Sequence, residues 1–158
     1  MTRRHFVSNL LILISLLVSS VQAQEKDCEV RLFIIGNSFS QNASRYLPQL
    51  AEESNTKLII GRAELGGCSL QRHWEIVEAY EANPEDPKGR QYKGKSLKML
   101  LSEGSWDYIT IQQNSMNSTD RDTYRPYAKN LYDYIKKVQP DAEVLIHQTW
   151  AYRTDSKD

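Results

Sequence analysis

The chain has 158 residues, with 20 basic and 20 acidic side chains and a formal net charge of zero. It has no basic stripe or block of lysine and arginine, and so lacks the electrostatic footprint of a nucleic-acid-binding protein. Charged residues make up 25% of the sequence, and aromatic residues are spread along it. This composition predicts a folded, soluble domain of modest size that binds no nucleic acid.

The start of the chain has the layout of a secretory signal peptide. A basic beginning at Arg3 and Arg4 is followed by an apolar run and by small residues that end at Ala23. The apolar run is short for a membrane span, although a retained anchor is the alternative. Residues 1–23 are therefore predicted to be a signal peptide and 24–158 an exported domain, with no stable membrane anchor after cleavage.

Strand-like and helix-like segments alternate along the rest of the sequence. The predicted strands are Glu29–Ile35, Lys57–Ile60 (continuing towards Ala63), Trp106–Gln112 and Glu143–His147. The predicted helices are Ala43–Ser54, Leu70–Ala82, Ser96–Ser102 and Thr123–Val138, and Asn83–Gly94 is a predicted loop. This alternation predicts an α/β fold with right-handed crossovers and a mostly parallel sheet.

The two cysteines, Cys28 and Cys68, are predicted to be unpaired. Cys28 precedes the first predicted strand and Cys68 follows the second, which places them about 17–20 Å apart if the strands are parallel. A disulfide needs Cα atoms within about 7 Å. The sequence also lacks a phosphate loop, a dinucleotide glycine fingerprint and a His/Cys cluster with metal spacing. We therefore expect no cofactor and no metal.

A polar segment follows each predicted strand, and open parallel sheets bind ligands at this edge. These segments are Gly36-Asn37-Ser38, Gly66-Gly67-Cys68-Ser69, Gln112-Gln113-Asn114-Ser115 and His147-Gln148-Thr149-Trp150. Their small, amide and hydroxyl residues predict a polar crevice.

Ser38 is the best candidate for a nucleophile in this crevice. Gly36 lets the chain turn off the strand, and Asn37 tolerates unusual backbone angles. The N–H groups at the start of the following helix would face the negative charge that develops during acyl transfer. A turn serine or a helix N-cap is the alternative role for Ser38.

Other residues of the crevice are candidates for holding an oxyanion or a proton. A backbone N–H of Gly66 or Gly67, or the side-chain amide of Asn114, suits an oxyanion, although all three also suit ordinary turns. The histidines available as a general base are His73 and His147. His147 ends the fourth predicted strand, whereas His73 lies early in a predicted helix, where a packing or surface role is expected.

In their order and placement these segments resemble the SGNH, or GDSL-type, hydrolases. The resemblance extends from about Val30 to Tyr152 and is to an uncharacterised, exported bacterial branch, which implies a periplasmic or extracellular location. It rests on Gly36-Asn37-Ser38-Phe39-Ser40, Gly66-Gly67-Cys68-Ser69-Leu70, His73-Trp74, Trp106-Asp107-Tyr108, Gln112-Gln113 and His147-Gln148-Thr149-Trp150-Ala151-Tyr152. It implies a three-layer α/β/α, flavodoxin-like fold and an esterase without a cofactor.

The resemblance also implies roles for individual residues. Ser38 matches the nucleophile, and Gly67 matches a backbone oxyanion donor, or Gly66 does if the register slips by one. Asn114 is the nearest match to the side-chain oxyanion donor. Asn37 stands where many members have aspartate.

Two blocks depart from the family pattern. The usual Gly-x-Asn-Asp block reads Gln112-Gln113-Asn114-Ser115, so Gln112 or Gln113 is an alternative amide donor. The Asp-x-x-His block that supplies the base and its orienting carboxylate is missing, since Val144 stands three residues before His147.

Two functions follow from the incomplete triad. In the first, the chain is the front part of a longer serine hydrolase whose substrates are small-molecule or glycan esters, such as O-acetyl groups on carbohydrate. Trp74, Tyr92 and Trp150 would then be candidate sugar-stacking walls, with core packing as the alternative. In the second, the domain has lost catalysis and binds a glycan or another small ligand in the same crevice.

Overall fold

The computed structural model describes residues 28–149. The predicted signal peptide, residues 1–23, lies outside this range, as does the predicted stacking residue Trp150. No helix in the described part of the chain has the length and apolar character required to cross a membrane.

Four parallel strands form one sheet in the order β2-β1-β3-β4. The strands are β1 (Cys28–Gly36), β2 (Thr56–Glu64), β3 (Tyr108–Ile111) and β4 (Glu143–Ile146). Their order matches the first four positions of the flavodoxin-like order 2-1-3-4-5. The predicted α/β fold with a parallel sheet is confirmed.

Helices lie on both faces of the sheet and complete the three layers. They are α1 (Ser38–Ala43), α2 (Leu47–Glu53), α3 (Leu70–Ala82), α4 (Leu97–Leu101) and α5 (Tyr127–Val138). Short 3₁₀ turns occupy Pro87–Gly89, Ser115–Asn117 and Arg121–Tyr124. The apolar residues of α3, α4 and α5 pack on one face, and α2 packs on the other.

The main core lies between the sheet and helices α3 to α5. Phe33 and Ile35 of β1 point to this face, because alternate residues of a strand share a face. They are buried with Ile109 of β3, Leu70 of α3 and Ile135 of α5. Burying one such side chain contributes about 1.5–3 kcal/mol, so this face supplies most of the hydrophobic stabilisation.

The opposite face of the sheet is only partly covered. Residues of α2 and of β1 and β2 line an apolar trough of about 460 Å³, which Tyr108 and Leu145 extend across β3 and β4. Leu50 of α2 is 63% exposed, and Tyr108 and Leu145 are each 39% exposed. Parallel sheets are normally buried on both faces, so this trough is an unusual apolar surface.

The prediction of one helix over Ala43–Ser54 was wrong. A helix covers only Leu47–Glu53 of this range, and a separate helix, α1, starts earlier, at Ser38, with Asn37 as its N-cap. Residues 44–46 separate the two helices. Pro48 lies in the first turn of α2, where its missing N–H is tolerated, whereas further along a continuous helix it could not donate a backbone hydrogen bond.

The other predicted helices are correct or shifted. The third helix, α3, has the predicted bounds Leu70–Ala82, and Ser96 and Ser102 cap α4 rather than belonging to it. The helix predicted from Thr123 begins instead at Tyr127, because Pro126 precedes it and cannot continue a helix from the 3₁₀ turn.

Candidate active site

Ser38 is the first residue of α1 and follows the end of β1 after one intervening residue. Its side chain is exposed, whereas Gly36 and Asn37 before it are buried. A methyl group placed on Gly36 would lie 2.5 Å from Ser40 Oγ and 3.0 Å from Gln112 Oε1. Glycine is therefore required at position 36 because there is no room for a side chain.

Buried polar side chains hold the turn that carries Ser38. Asn37 Nδ2 donates to Cys68 O at 3.0 Å, and Asn37 Oδ1 accepts the Phe39 N–H at 3.0 Å. Ser40 Oγ lies 2.7 Å from Asn37 O and 3.0 Å from Glu64 Oε1, which are the two acceptors for its single proton. The backbone on both sides of Ser38 is thus fixed by contacts that do not use the Ser38 hydroxyl.

His73 of α3 supports the same turn from inside the core. Its Nε2 lies 3.2 Å from Gly36 O, and its Nδ1 lies 2.7 Å from Tyr92 Oη, with the two rings stacked at 5.9 Å. Gly36 O also accepts the Leu65 N–H at 3.1 Å. Desolvation lowers the pKa of His73 to about 4, so the ring is neutral at pH 7. These are the contacts of a packing residue.

The glycine pair after β2 lies beside the segment after β3. Gly67 has a φ of +63°, which favours glycine, whereas Gly66 has no such requirement. Asn114 Nδ2 donates to Gly67 O at 3.3 Å. Because Asn37 also bonds to Cys68, two side-chain hydrogen bonds join the segments that follow β1, β2 and β3. The structure therefore brings the Ser38 turn, Gly67 and Asn114 to one edge of the sheet.

The two glutamines after β3 are both buried but differ in their contacts. Gln113 Oε1 accepts the N–H groups of Leu70 at 3.1 Å and Asn114 at 2.9 Å, and Gln113 Nε2 donates to Thr123 O at 3.0 Å. This amide clamps the start of α3 to the end of β3. The amide of Gln112 has no hydrogen-bond partner among residues 28–149.

His147 follows β4 and is half-buried. It lines a cavity of about 190 Å³ with Ser40, Ser44 and Thr110, on the face of the sheet that α1 covers. Burial lowers its pKa below the usual 6.5, so its imidazole is neutral at pH 7. No hydrogen bond joins His147 to Ser38 within the described residues.

The structure gives Glu64 a role that the sequence did not indicate, and it shows packing, the expected alternative, for Tyr92 and Trp74. Glu64, at the end of β2, contacts Ser40 and forms an ion pair with Arg62 at 2.9 Å. Tyr92 is a buried partner of His73 rather than an open sugar-stacking wall, and Trp74 packs edge-on against Tyr134. The only available signal for Glu64 was its position at the carboxyl end of a strand.

The described residues offer no obvious metal centre. No group of three or more His, Cys, Asp or Glu side chains within 28–149 is arranged to hold a metal ion. Cys28 and Cys68 are both free, with Cys28 exposed and Cys68 buried. Burial raises the pKa of the Cys68 thiol to about 12, so this group is not a reactive thiolate.

The family model of DUF4886, described as a domain of unknown function, matches residues 31–158. The chain belongs to the DUF4886 family. A crystal structure at 1.50 Å resolution of a DUF4886 family protein from Bacteroides uniformis ATCC 8492 is 32% identical to it, with a TM-score of 0.66. The match covers 81% of this chain and 52% of that chain, so this DUF4886 chain spans about half of the solved relative. No curated protein matches the chain.

Proposed function

We propose that this DUF4886 chain is part of a serine hydrolase that acts on ester bonds, with O-acetyl groups on carbohydrate as its substrate class. The observation that carries the proposal is the exposed Ser38 on a turn that buried side chains hold rigid at the end of an interior strand. Ligand sites of open parallel sheets lie at this edge, next to the β1/β3 switch point. The resemblance of the Ser38 segment to the SGNH hydrolases supports the same assignment.

The proposed oxyanion hole consists of the backbone N–H groups of Ser38 and Gly67 and the side-chain amide of Asn114. Ser38 begins a helix, so its N–H has no partner within that helix. No residue within 28–149 accepts the Gly67 N–H. Asn114 Nδ2 uses one hydrogen for Gly67 O, which leaves its second hydrogen for a ligand.

The proposed reaction has two steps. Ser38 Oγ attacks the acyl carbon and passes its proton to a general base, and the ester C–O bond breaks as the base returns that proton to the departing alcohol. Water then attacks the acyl-serine, which releases the carboxylic acid and restores the Ser38 hydroxyl. Both tetrahedral intermediates carry a negative oxygen that the oxyanion donors stabilise.

The general base is proposed to be a histidine outside residues 28–149. His73 is unsuitable, because it is fully buried and both ring nitrogens are engaged beneath the turn. His147 shares a cavity with Ser40 but has no hydrogen bond to Ser38 among the described residues. The match covers only 52% of the solved relative's chain, so further polypeptide of the full-length protein is the proposed source of the base.

A fluorophosphonate probe tests the nucleophile. The full-length protein should be labelled at Ser38, as located by peptide mass spectrometry, and should release acetate from acetylated sugars. Ser38→Ala should abolish labelling and lower hydrolysis at least about 1000-fold, as expected for loss of a catalytic serine. Ser102→Ala, at an exposed serine after α4, is the matched control and should change neither readout. Ester hydrolysis that persists in Ser38→Ala would contradict the assignment.

A binding protein without catalysis is the second candidate. The observation that favours it is that both ring nitrogens of His73 already have partners, so His73 cannot serve as the base. A binding protein would give a different result from an esterase in the same experiment. The wild-type protein would bind acetylated or free glycan in the crevice, with no hydrolysis and no labelling of Ser38.

A further inference from the structure

We propose that a cavity between α1 and the end of β2 is a subsite for an anionic group. It is distinct from the cavity that His147 lines. The esters cleaved at Ser38 would then be acidic carbohydrates that carry a carboxylate. This inference rests on the proposed function, because it names the substrate class of the same site. We call the cavity the basic subsite. Its residues are Gln41, Arg62, Glu64, Tyr92, Lys93, Lys95 and Leu100.

The basic subsite carries an excess of positive charge, whereas the chain as a whole is neutral. Three cationic side chains and one carboxylate line it, whereas the whole sequence has a formal net charge of zero. The carboxylate of Glu64 is already neutralised by Arg62 at 2.9 Å, and its side chain is only 6% exposed. The charge that remains for a ligand is therefore positive. A concave wall concentrates such a field and attracts anions.

Lys93 is the cation of the basic subsite that is available to pair with a ligand. Lys95 forms an exposed ion pair with Glu103, whereas Lys93 has no ion-pair partner in the described part of the chain. Lys93 and Gly94 both have positive φ, and reciprocal hydrogen bonds between Tyr92 and Lys95 close a two-residue hairpin around them. The hairpin fixes the backbone at the rim from which the lysine extends.

The basic subsite lies next to the Ser38 turn. Gln41 of its lining is three residues after Ser38 in α1, which corresponds to about 4.5 Å along the helix axis and nearly the same side of the helix. Tyr92 of its lining bonds to His73, which in turn contacts Gly36 O. Glu64 contacts Ser40, two residues after Ser38. An ester group at Ser38 and an anionic group in the cavity can thus belong to one substrate.

The size of the cavity limits what it can hold. Its volume is about 280 Å³, whereas sites for whole drug-sized ligands measure about 300–1000 Å³. It therefore fits one part of a substrate, such as the carboxylate end of a single sugar residue. Guanidinium and ammonium groups are the usual partners of such a carboxylate.

The test compares two acetyl esters that differ in one group. Acetate release by the full-length protein is measured on mono-O-acetyl methyl galacturonoside, which is charged, and on mono-O-acetyl methyl galactoside, which is neutral. Lys93→Asn and Lys95→Gln are introduced together, because asparagine tolerates the positive φ at position 93. Arg62 is kept, since its loss would leave Glu64 buried and unpaired.

The double variant should lower kcat/KM for the charged ester about fivefold through a higher KM, as expected for loss of partly exposed charge interactions. The neutral ester should change less than twofold, and raising the salt concentration should reduce the preference of the wild type for the charged ester. Lys129→Gln on the outer side of α5 is the control for a general change of charge. Equal rates on the two esters in the wild type, or an equal loss on both in the variant, would overturn the proposal.

A second measurement separates this proposal from the esterase proposal. Binding of unacetylated methyl galacturonoside and methyl galactoside to Ser38→Ala is followed by NMR titration, which requires no catalysis. Tighter binding of the charged sugar that disappears in the Lys93→Asn/Lys95→Gln background supports the basic subsite even if no ester is cleaved. Hydrolysis that depends on Ser38, without any preference for the charged sugar in binding or rate, overturns the subsite and leaves the esterase proposal standing.

Discussion

His73, Asn37 and Ser40 hold the turn that carries the proposed nucleophile, and all three are almost fully buried. A neutral imidazole in such a place stabilises the fold without carrying charge. Protonation would put a cation in the core next to a tyrosine hydroxyl, and desolvation makes that costly. His73, beneath the Ser38 turn, is therefore expected to contribute to the acid sensitivity of the domain.

The stability of the domain should fall on acidification because of His73. Its pKa is about 4 in the folded state and about 6.5 in the unfolded chain, so the unfolded state binds more protons between these values. The free energy of unfolding should decrease as the pH falls from 6.5 to 4, by roughly 3 kcal/mol in total for this residue. Urea unfolding at several pH values measures the slope.

His73→Gln and His147→Gln make a matched pair for this measurement. His73→Gln should lower stability at pH 7 but flatten the dependence between pH 4 and 6.5. His147→Gln should keep most of the wild-type slope, because His147 is only half-buried. An unchanged slope in His73→Gln would show that other groups cause the acid sensitivity.

The sequence could indicate where the candidate residues lie, but not what they contact. Ser38, Gly67 and Asn114 were predictable because carboxyl ends of parallel strands share an edge. The packing role of His73 was one of two expected, but its contacts were not predictable, because its partner Tyr92 lies in a segment that reads as a polar loop. Burial of Asn37 and Glu64 likewise depends on contacts between distant segments.

At the scale of elements, β1 and α1 meet with almost no free space. Gly36 ends the strand, and α1 crosses so closely that Ser40 and Gln112 occupy the space where a side chain would be. The predicted helix over Ala43–Ser54 missed this junction, because the apolar pattern starts only at Tyr46. The cap at Asn37 and the crossing of α1 are instead set by polar contacts to β2 and to Cys68.

Gly36→Ala should destabilise the domain by about 1–3 kcal/mol, the usual cost of overpacking a close contact. Gly66→Ala is the control, since a methyl group there would meet nothing within 4 Å and its φ is not in the positive range. Gly66→Ala should change the free energy of unfolding by less than about 0.5 kcal/mol. Thermal and urea unfolding of the two variants provide the comparison, and equal stabilities would contradict the close crossing of α1.

Some elements were predictable because their local signals agree with the packing. The helix Leu70–Ala82 has Ser69 as its N-cap, and its apolar residues face the core at helical spacing. The helix predicted from Thr123 was less reliable, because Pro126 interrupts it while the apolar spacing continues. Local residues such as the Ser69 cap and Pro126 thus set where each helix begins, whereas the spacing of apolar residues indicates that the segment is a helix.

At the scale of the whole molecule, the two faces of the sheet differ greatly in burial. One face packs against three helices, whereas the trough on the other exposes Leu50, Tyr108 and Leu145. Large exposed apolar surfaces bind hydrophobic probes and promote association. Sequence patterning could not reveal this asymmetry, because the residues of both faces are equally apolar.

The folded protein should bind a hydrophobic dye such as ANS at the apolar trough. Leu145→Lys places a charge in the trough and should reduce ANS fluorescence about twofold or more, with little loss of stability because the side chain is already 39% exposed. Leu131→Lys is unsuitable as a control, since that residue is fully buried. Tyr132→Lys, on the exposed side of α5, is the control and should leave the dye signal unchanged. A dye signal that is the same in Leu145→Lys would argue against the trough as the binding surface.

The position of β1 within the sheet has a consequence for local opening. Its nine residues pair with β2 along their whole length, and four of them also pair with β3. Backbone amides in such an interior strand exchange with solvent only when the domain unfolds as a unit, whereas the edge strand β4 can separate at lower cost. We therefore expect β1, which the proposed nucleophile follows, to exchange more slowly than β4, so that opening of β4 leaves the geometry at Ser38 intact.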